Sequence, residues 1–251
     1  MFENRKYRLK SNRQGLNQFS VTVKESDLHI QAESDLSKIA TKKILELRGF
    51  IEEYAKMDPQ FITSLVPIEP LIAVVPEIVA DMVDAAKKAG VGPMAAVAGA
   101  IAQHTGVELL KYSSEVIVEN GGDIFFKINS PMVFSIFAGK SPLSMKVGAR
   151  IEPNKMDFIK NGKNIGMALC TSSGTVGHSI SFGKADAATV ISPSCSIADA
   201  AATALGNIVK KESDIEKAIE AGQKIKGVEG IIIIKGRRLG AWGAVELVKI
   251  A

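Results

Sequence analysis

The segment ISPSCSIADAAATAL, residues 191–205, places a carboxylate and a hydroxyl four positions apart. The alanines around Asp199 and Thr203 favour a helix, and residues at i and i+4 share one helix face. Two oxygen donors on one face could bind a hard cation such as Mg²⁺. A purely structural interpretation also exists, because Ser196 could cap the helix, Asp199 could favour its positive end, and Thr203 could bond to a helical carbonyl.

A glycine pair separates two apolar runs in the segment VENGGDIFF, residues 118–126. Gly121 and Gly122 permit backbone conformations that other residues avoid, and their N–H groups could bind a phosphate or carbonyl oxygen. Asp123 could accept a hydrogen bond from the same ligand, and the candidate ligand-binding residues of this segment are Asn120, Gly121, Gly122 and Asp123. Because Asn-Gly is a favoured turn dipeptide, the alternative is that Asn120 and the glycines form an ordinary hairpin turn.

The segment TSSGTVGHS, residues 171–179, concentrates hydroxyls, glycines and an imidazole between two predicted strands. These groups could bind an anion, although Ser, Thr and Gly are also ordinary loop residues. No GxxxxGK pattern follows, which excludes a Walker-type nucleotide site. His178 could act as a base or contact a substrate. The candidate ligand-binding residues of this segment are Thr171, Ser172, Ser173, Gly174 and Thr175.

The two cysteines, Cys170 and Cys195, have no CxxC spacing and no histidine at metal-ligand spacing. The sequence therefore predicts neither a disulfide framework nor a zinc site. Cys195 lies close to a predicted helix N-terminus, which could favour a thiolate, but no partner base is identifiable. We expect it to be a small buried residue in a reducing compartment.

The composition, 251 residues with 46% hydrophobic, provides ample material for a buried core. The formal charge is +4, but the basic clusters near both ends lack interleaved aromatics and lie beside predicted strands. This pattern favours solvated strand edges over nucleic-acid binding. The first residues are polar, and no apolar run approaches the about 20 residues of a membrane helix. We expect one cytoplasmic domain over residues 1–251, without membrane insertion.

Apolar periodicity predicts the elements that position these clusters. Residues 18–32 alternate around a Lys-Glu-Ser-Asp turn and predict an antiparallel hairpin. Helical spacing follows Ser34, a candidate N-cap, and stops at Asp58; a second helix is predicted over 77–89. The segment VGPMAAVAGAIAQHTG, residues 91–106, predicts a buried helix whose small residues allow another backbone to approach closely.

From residue 115 the pattern changes to strands joined by short loops, which favours an antiparallel sheet. Helices return at about 198–209 and then, after a capping box of Ser213 and Glu216, to about residue 224. The last apolar runs flank 236–240 and predict a hairpin. The order predicts an α+β fold with a largely antiparallel sheet and packed helices, arranged as a duplication of a ββαα-type unit.

Four segments together resemble an uncharacterised bacterial and archaeal family related to the ApbE flavin transferases. The resemblance covers nearly the whole chain. The transferases themselves are more distant and share three features: the GGD of residues 121–123, the Ser-Gly of 173–174, and an AD-x-x-x-T pattern that ends at Thr203. The four segments are VGPMAAVAGA (91–100), ENGGDIFF (119–126), TSSGTVGHSISFGKADAATVIS (171–192) and SCSIADAAATALGN (194–207).

The resemblance implies a T-fold and a set of cofactors. ApbE enzymes bind FAD and Mg²⁺ and attach FMN through a phosphoester bond to a Thr or Ser of a protein. By resemblance, Asp199 and Thr203 match residues that help hold Mg²⁺, and residues 121–123 match part of the flavin site. The chain departs from those enzymes after His178, where SISFGKAD stands in place of Asp-Pro-x-Thr-Gly.

Three functional hypotheses follow. The leading one is an ApbE-like protein of unassigned activity that binds a phosphorylated or other anionic small molecule, such as FAD or FMN, in a central cleft with Mg²⁺. The first alternative is a transferase that moves FMN from FAD to a cytoplasmic acceptor, with His178 assisting proton transfer. The second is a non-catalytic binding or scaffold protein, for which the family's loose association with sulfur assimilation leaves room. Because T-folds commonly assemble through sheet edges, we also expect a homo-oligomer.

Overall fold

A computed structural model describes residues 13–153, 159–160, 163–164, 166–174 and 183–250. The strands are β1 (Asn17–Val23), β2 (Ser26–Ala32), β3 (Val116–Asn120), β4 (Asp123–Lys127), β5 (Met132–Ser135), β6 (Val147–Ile151), β7 (Ile159–Lys160), β8 (Lys163–Asn164), β9 (Met167–Ser172), β10 (Ala187–Ser192), β11 (Gly230–Lys235), β12 (Arg238–Gly243) and β13 (Glu246–Lys249). The helices are α1 (Ser37–Met57), α2 (Gln60–Thr63), α3 (Glu77–Ala89), α4 (Val97–Leu109), α5 (Cys195–Ile208) and α6 (Ile215–Gly222), with 3₁₀ turns at Pro93–Ala96 and Glu212–Asp214.

The described part of the chain forms one large antiparallel sheet in the order β1-β2-β3-β4-β9-β10-β11-β12. Each half of the sheet consists of two hairpins separated by helices, with α1 to α4 in the first half and α5 and α6 in the second. The halves join where β4 pairs with β9, and Asp123 lies opposite Cys170. The predicted α+β fold is confirmed, and the two halves repeat the same element order.

The large sheet has a different layer on each face. Successive residues of a strand point to opposite faces, so Val118 and Phe125 pack under the helices. Their neighbours Ile117 and Phe126 pack instead against a small sheet of β13, β6 and β5, together with Phe134. The strands are therefore apolar on both faces, which explains their near-continuous hydrophobic runs.

Several predicted elements are confirmed with their boundaries. The first hairpin is β1 and β2, which pair in register from Asn17–Ala32 to Val23–Ser26. Helix α1 ends at Met57, before the predicted stop, and α3 spans Glu77–Ala89. Gly90 ends α3 in the left-handed conformation with φ 73°, and its N–H donates to the carbonyl of Ala86.

The predicted helix starts were less accurate. Ser34 does not cap α1; the Asp35 carboxylate accepts the N–H of Ser37 at 2.9 Å instead. Ser196 does not cap α5 either, because the helix begins one residue earlier at Cys195. The cap is Ser194, which has extended backbone angles and accepts the N–H of Ile197.

The predicted capping box at Ser213 and Glu216 is also wrong. The Asp214 carboxylate turns back to accept the N–H groups of Lys210 and Lys211 at 2.9 and 3.0 Å. This arrangement makes a 3₁₀ turn, and α6 starts at Ile215 without a side-chain cap. Asp214 therefore caps the 3₁₀ turn that precedes α6, and neither Ser213 nor Glu216 forms the predicted box.

The C-terminal strands form a tighter turn than predicted. Lys235 and Arg238 are already paired across β11 and β12, so only two residues make the turn. Strand β13 then crosses to the small sheet and pairs with β6. The basic residues of this turn have acidic neighbours, since Lys235 lies 3.4 Å from Asp186 and Arg238 lies 3.3 Å from Glu212.

Across the described ranges, no helix combines the length and the apolar character that a bilayer crossing requires. The basic cluster near the start of the chain lies almost entirely outside the described residues, which begin at Arg13.

Candidate functional site

The glycine pair forms the turn of the β3–β4 hairpin. Gly121 and Gly122 have φ values of 71° and 114°, in the region that favours glycine, and they join Asn120 directly to Asp123. The hairpin interpretation of this motif is therefore what the structure shows. The tight turn places two buried polar side chains, those of Asn120 and Asp123, at its base.

Those two side chains face the helical layer. The Asn120 side-chain amide donates to the carbonyl of Ala98 at 3.1 Å, which fixes the hairpin against the start of α4. The Gly122 carbonyl accepts the N–H of Thr171 at 3.2 Å, which fixes the turn to β9. Asp123 is thereby held between β9 and the helices.

Asp199 approaches the same place from α5. One oxygen of its carboxylate accepts the N–H of Gly99 at 2.8 Å, so the side chain caps the first turn of α4 from 100 positions along the chain. A Cβ atom at Gly99 would lie 2.4 Å from the carbonyl oxygen of Cys195 and 2.8 Å from Cβ of Asp199. The predicted close backbone approach at this small residue is therefore confirmed, and it brings α5 onto α4.

The two carboxylates lie in a buried environment that disfavours their charge. Burial raises the pKa of Asp123 well above its usual value, and the nearby charge of Asp199 raises it further. Burial also raises the pKa of Asp199, to about 7, although hydrogen bonds from the N–H groups of Gly99 and Ala98 oppose the shift. Among the described residues, neither carboxylate has a Lys or Arg as an ion-pair partner.

Two buried acids without a basic partner must either hold a proton or bind a cation. Thr203 lies one turn after Asp199 on α5, so the two side chains share a helix face, where Thr203 is half-buried. Over the part of the chain that the structure describes, no group of three His, Cys, Asp or Glu side chains forms a metal cluster. A cation here would need oxygens from a ligand or from water, which is how Mg²⁺ commonly completes its shell.

Thr171 and Ser172 lie next to each other in sequence but on opposite faces of the sheet. The Thr171 hydroxyl is 2.9 Å from that of Thr189, on the face away from the helices. Ser172 faces α5, close to Gly206, and its buried hydroxyl has no hydrogen-bond partner among the described residues. Of this pair, only Ser172 shares a face with Asp123.

Ser173 and Gly174 follow β9 and begin a loop. The N–H of Gly174 donates to the carbonyl of Ala185 at 3.0 Å. A Cβ at Gly174 would lie 2.2 Å from the carbonyl oxygen of Gly183. The backbones at these two residues are therefore too close for a side chain at position 174. Thr175 and His178 lie outside the described residues, and their roles stay predictions.

No pattern in the sequence indicated that the two cysteines lie at this site. Their Sγ atoms lie 3.4 Å apart, both residues are fully buried, and both are free thiols. Cys170 is also the strand partner of Asp123 across β9 and β4. Two features of the sequence could have indicated their position. Cys195 precedes Asp199 by four helical positions, and Cys170 directly precedes the hydroxyl-rich segment.

Gln103 is a second residue that the sequence did not indicate. Its side-chain oxygen accepts the N–H of Cys195 at 2.6 Å, so α4 caps α5 as α5 caps α4. A glutamine in an apolar helix has no distinctive spacing, and only the packing of the two helices reveals its partner.

Comparison with known sequences assigns relatives over most of the chain. The family model described as "AbpE bacteria" matches residues 8–246. The UPF0280 protein of Methanococcus aeolicus is 37% identical over 234 residues, which cover 91% of each chain. The UPF0280 protein of Archaeoglobus fulgidus is 41% identical over 228 residues, covering 88% of this chain and 89% of that protein.

Comparison with solved structures identifies the fold. The apo flavinyl transferase ApbE of Pseudomonas stutzeri superimposes with a TM-score of 0.55 at 13% identity, over 91% of this chain and 94% of that one. The ApbE protein of Thermotoga maritima gives a TM-score of 0.53 at 11% identity, over 90% and 96%. At such low identity these similarities describe a shared architecture.

Proposed function

The chain belongs to the family described as AbpE bacteria, and from that premise we propose that it binds a divalent cation and a phosphorylated small molecule at Asp123 and Asp199. The family resemblance inferred from the sequence motifs is confirmed by the family model and the UPF0280 relatives.

One observation carries the proposal: two buried carboxylates converge without a basic partner among the described residues. A buried acid pair lowers stability, because each carboxyl must either take up a proton or keep a charge that burial disfavours. A cation removes that penalty when it binds. Such unfavourable polar arrangements are more common at functional sites than in ordinary cores.

The donors that are present suit Mg²⁺. Asp123 and Asp199 supply carboxylate oxygens, and the Thr203 hydroxyl on the same helix face supplies a third hard donor. The remaining positions would be filled by water and by the phosphate of the ligand. When bound, Mg²⁺ neutralises charge that accumulates on a phosphoryl group.

The other polar groups can bind and orient the ligand. Ser172 presents a buried hydroxyl that lacks a hydrogen-bond partner in the described chain. The glycine pair at 121–122 leaves the hairpin turn without side chains, so a ligand can approach its backbone closely. Flavin nucleotides fit this class, since they combine a phosphate with a large planar ring.

Flavin transfer is the second candidate. It is supported by the fold shared with the flavinyl transferase of Pseudomonas stutzeri and by the GGD and AD-x-x-x-T motifs, which resemble those of the ApbE enzymes. This candidate predicts that FAD with Mg²⁺ yields AMP and a protein or acceptor that carries FMN. The Asp199→Asn change should abolish both products.

The test is a thermal-shift titration of the full chain with FAD, FMN, ATP and AMP, each with and without Mg²⁺. A ligand present at one hundred times its Kd stabilises the native state by about 2.7 kcal/mol. We expect a Mg²⁺-dependent shift with at least one of these phosphates. It should be lost in Asp199→Asn and reduced in Thr203→Val, which removes only the hydroxyl.

Asp84→Asn is the matched control, because Asp84 is an exposed helical acid that pairs only with Lys88 in the described chain. It should leave the titration unchanged. If no phosphate and no Mg²⁺ shifts the wild type, the proposal fails. Specific capture of a protein partner that survives Asp199→Asn would then favour the scaffold hypothesis.

A further inference from the structure

The chain has two cysteines, and the fold brings them into contact although 25 positions separate them. Cys170 lies near the end of β9, and Cys195 is the first residue of α5. Their sulfurs are 3.4 Å apart, and the Cys170 thiol also lies 3.5 Å from the carbonyl oxygen of Cys195. Strand pairing holds Cys170 between β4 and β10, and the Gln103 side-chain oxygen accepts the N–H of Cys195.

This contact is close to the geometry of a covalent bond. A disulfide has an S–S length of about 2.05 Å, so the sulfurs must approach by about 1.4 Å. Rotation about the Cα–Cβ bonds can move a sulfur by that distance. Neither residue touches solvent, so a bond formed here would lie inside the protein and not between two molecules.

We propose that Cys170 and Cys195 form a reversible intramolecular disulfide that ties α5 to β9 beside the carboxylates. The inference holds whatever ligand the site binds, so it does not rest on the proposed function. It departs from the sequence-based expectation of no disulfide framework and a small buried Cys195.

The reaction requires a two-electron oxidant, for which we name a hydroperoxide. The two thiols lose their hydrogens, one S–S bond forms, and the O–O bond of the peroxide breaks. With hydrogen peroxide, two electrons pass from the sulfurs to the oxidant and two water molecules leave. A dithiol reductant reverses the step by exchange and becomes a cyclic disulfide itself.

Oxidation would act directly on the site. Cys170 lies opposite Asp123 where β9 pairs with β4, so a change in the position of its sulfur alters the surroundings of that carboxylate. Cys195 and Asp199 lie one turn apart on α5, so movement of the first residue of the helix is transmitted to the second carboxylate. The redox state of the pair thus changes the surroundings of both acids.

The experiment treats the native full chain with hydrogen peroxide, then denatures it and alkylates the free thiols. We expect both cysteines to resist alkylation, an intact mass lower by two hydrogens, and a monomer on a non-reducing gel. Reduction should restore two alkylated cysteines. The oxidised protein should also unfold at a temperature higher by about 5–10 °C, because the bond closes a loop in the unfolded chain.

Single variants provide the control. In Cys170→Ser and Cys195→Ser, the remaining thiol has no partner, so the mass should never fall by two hydrogens. The wild-type measurement decides the question even if a variant folds poorly. Oxygen adducts or intermolecular dimers in place of the internal bond would overturn the proposal, and so would a lower unfolding temperature after oxidation.

Discussion

Asp199 performs two tasks with one side chain. Its carboxylate caps α4 through the N–H of Gly99, and its charge lies next to Asp123 in a buried environment. The capping bond stabilises the charged form, while burial disfavours it. Burial is the stronger influence, since the pKa of Asp199 rises to about 7, so without a cation this carboxyl holds its proton below neutral pH and loses it above.

A pH-dependent stability follows from this shift. The pKa of Asp199 is about 7 in the folded protein and 3.8 in the unfolded chain, so the folded state binds the proton more tightly. Its contribution is therefore fully present below pH 4 and is lost as pH rises through 7. Between pH 5 and 8, in EDTA, the wild type should lose about 2–3 kcal/mol more than Asp199→Asn. Urea denaturation at several pH values measures the difference.

The asparagine variant is suited to this comparison because its amide oxygen can still accept the N–H of Gly99. Asp84→Asn should follow the wild-type curve, since its acid is exposed and ion-paired with Lys88. Parallel curves for wild type and Asp199→Asn would mean that the carboxyl does not change its protonation on folding.

The contact between α4 and α5 is the decisive feature at the level of elements. Gly99 allows the helix backbones to meet, and reciprocal caps by Asp199 and Gln103 hold them together. A glycine inside a helix normally weakens it by about 1 kcal/mol relative to alanine. Here the loss is offset by a close crossing that positions the site.

Gly99→Ala tests that crossing. The added methyl would lie 2.4 Å from the Cys195 carbonyl, so α4 and α5 must separate. We expect a loss of about 2–4 kcal/mol of stability, despite the better helix propensity of alanine. Denaturant unfolding provides the free energy of unfolding, and near-UV circular dichroism reports whether the native packing changes.

Gly49→Ala is its control within α1. A Cβ at Gly49 has no heavy atom within 4 Å, so this change should stabilise the protein by about 0.5–1 kcal/mol. Equal effects of the two substitutions would contradict the steric account of the α4–α5 crossing.

The sequence predicted the elements better than their ends. Periodicity identified the first hairpin, α1, α3 and the central strands, because apolar spacing directly reflects which residues are buried. The caps predicted at Ser34, Ser196 and Ser213 were wrong because several neighbouring polar residues could serve. Asp35 and Ser194 accept N–H groups at the starts of α1 and α5, and Asp214 accepts the N–H of Lys210 and leaves α6 without a side-chain cap. Local preference does not separate such close alternatives.

The site was only partly predictable for a different reason. Asn120, Asp123 and Asp199 carry functional groups with recognisable spacing, and the structure brings them to one region. The contact between Cys170 and Cys195 depends on how α5 crosses β9, which no local pattern encodes. Thr171 shows the converse, since a hydroxyl in a promising motif faces the other side of the sheet.

At the scale of the molecule, the two halves are joined by more than the sheet. Strand β4 pairs with β9, and α4 and α5 cap each other above that seam. The apolar core under the helices is continuous from Val21 in β1 to Ile233 in β11. Because these contacts cross the boundary between halves, neither half completes its own structure.

This interlock predicts a single unfolding transition. The one tryptophan, Trp242, lies on β12 in the second half, so its fluorescence reports that half. Far-ultraviolet circular dichroism reports mainly the helices of both halves. The two curves should coincide in urea, and Asp199→Asn should shift both together. An earlier transition in one signal would show that the halves unfold separately.

The cap of α4 has a consequence for how the protein is made. A ribosome releases β1 to β4 and α4 well before Asp199 exists, and during that interval the start of α4 has no carboxylate to accept its N–H groups. The β4 edge is also open until β9 arrives, which leaves a template for pairing with other nascent chains. Newly synthesised first halves therefore expose this edge to one another, and slow translation between residues 127 and 167 would lengthen that exposure.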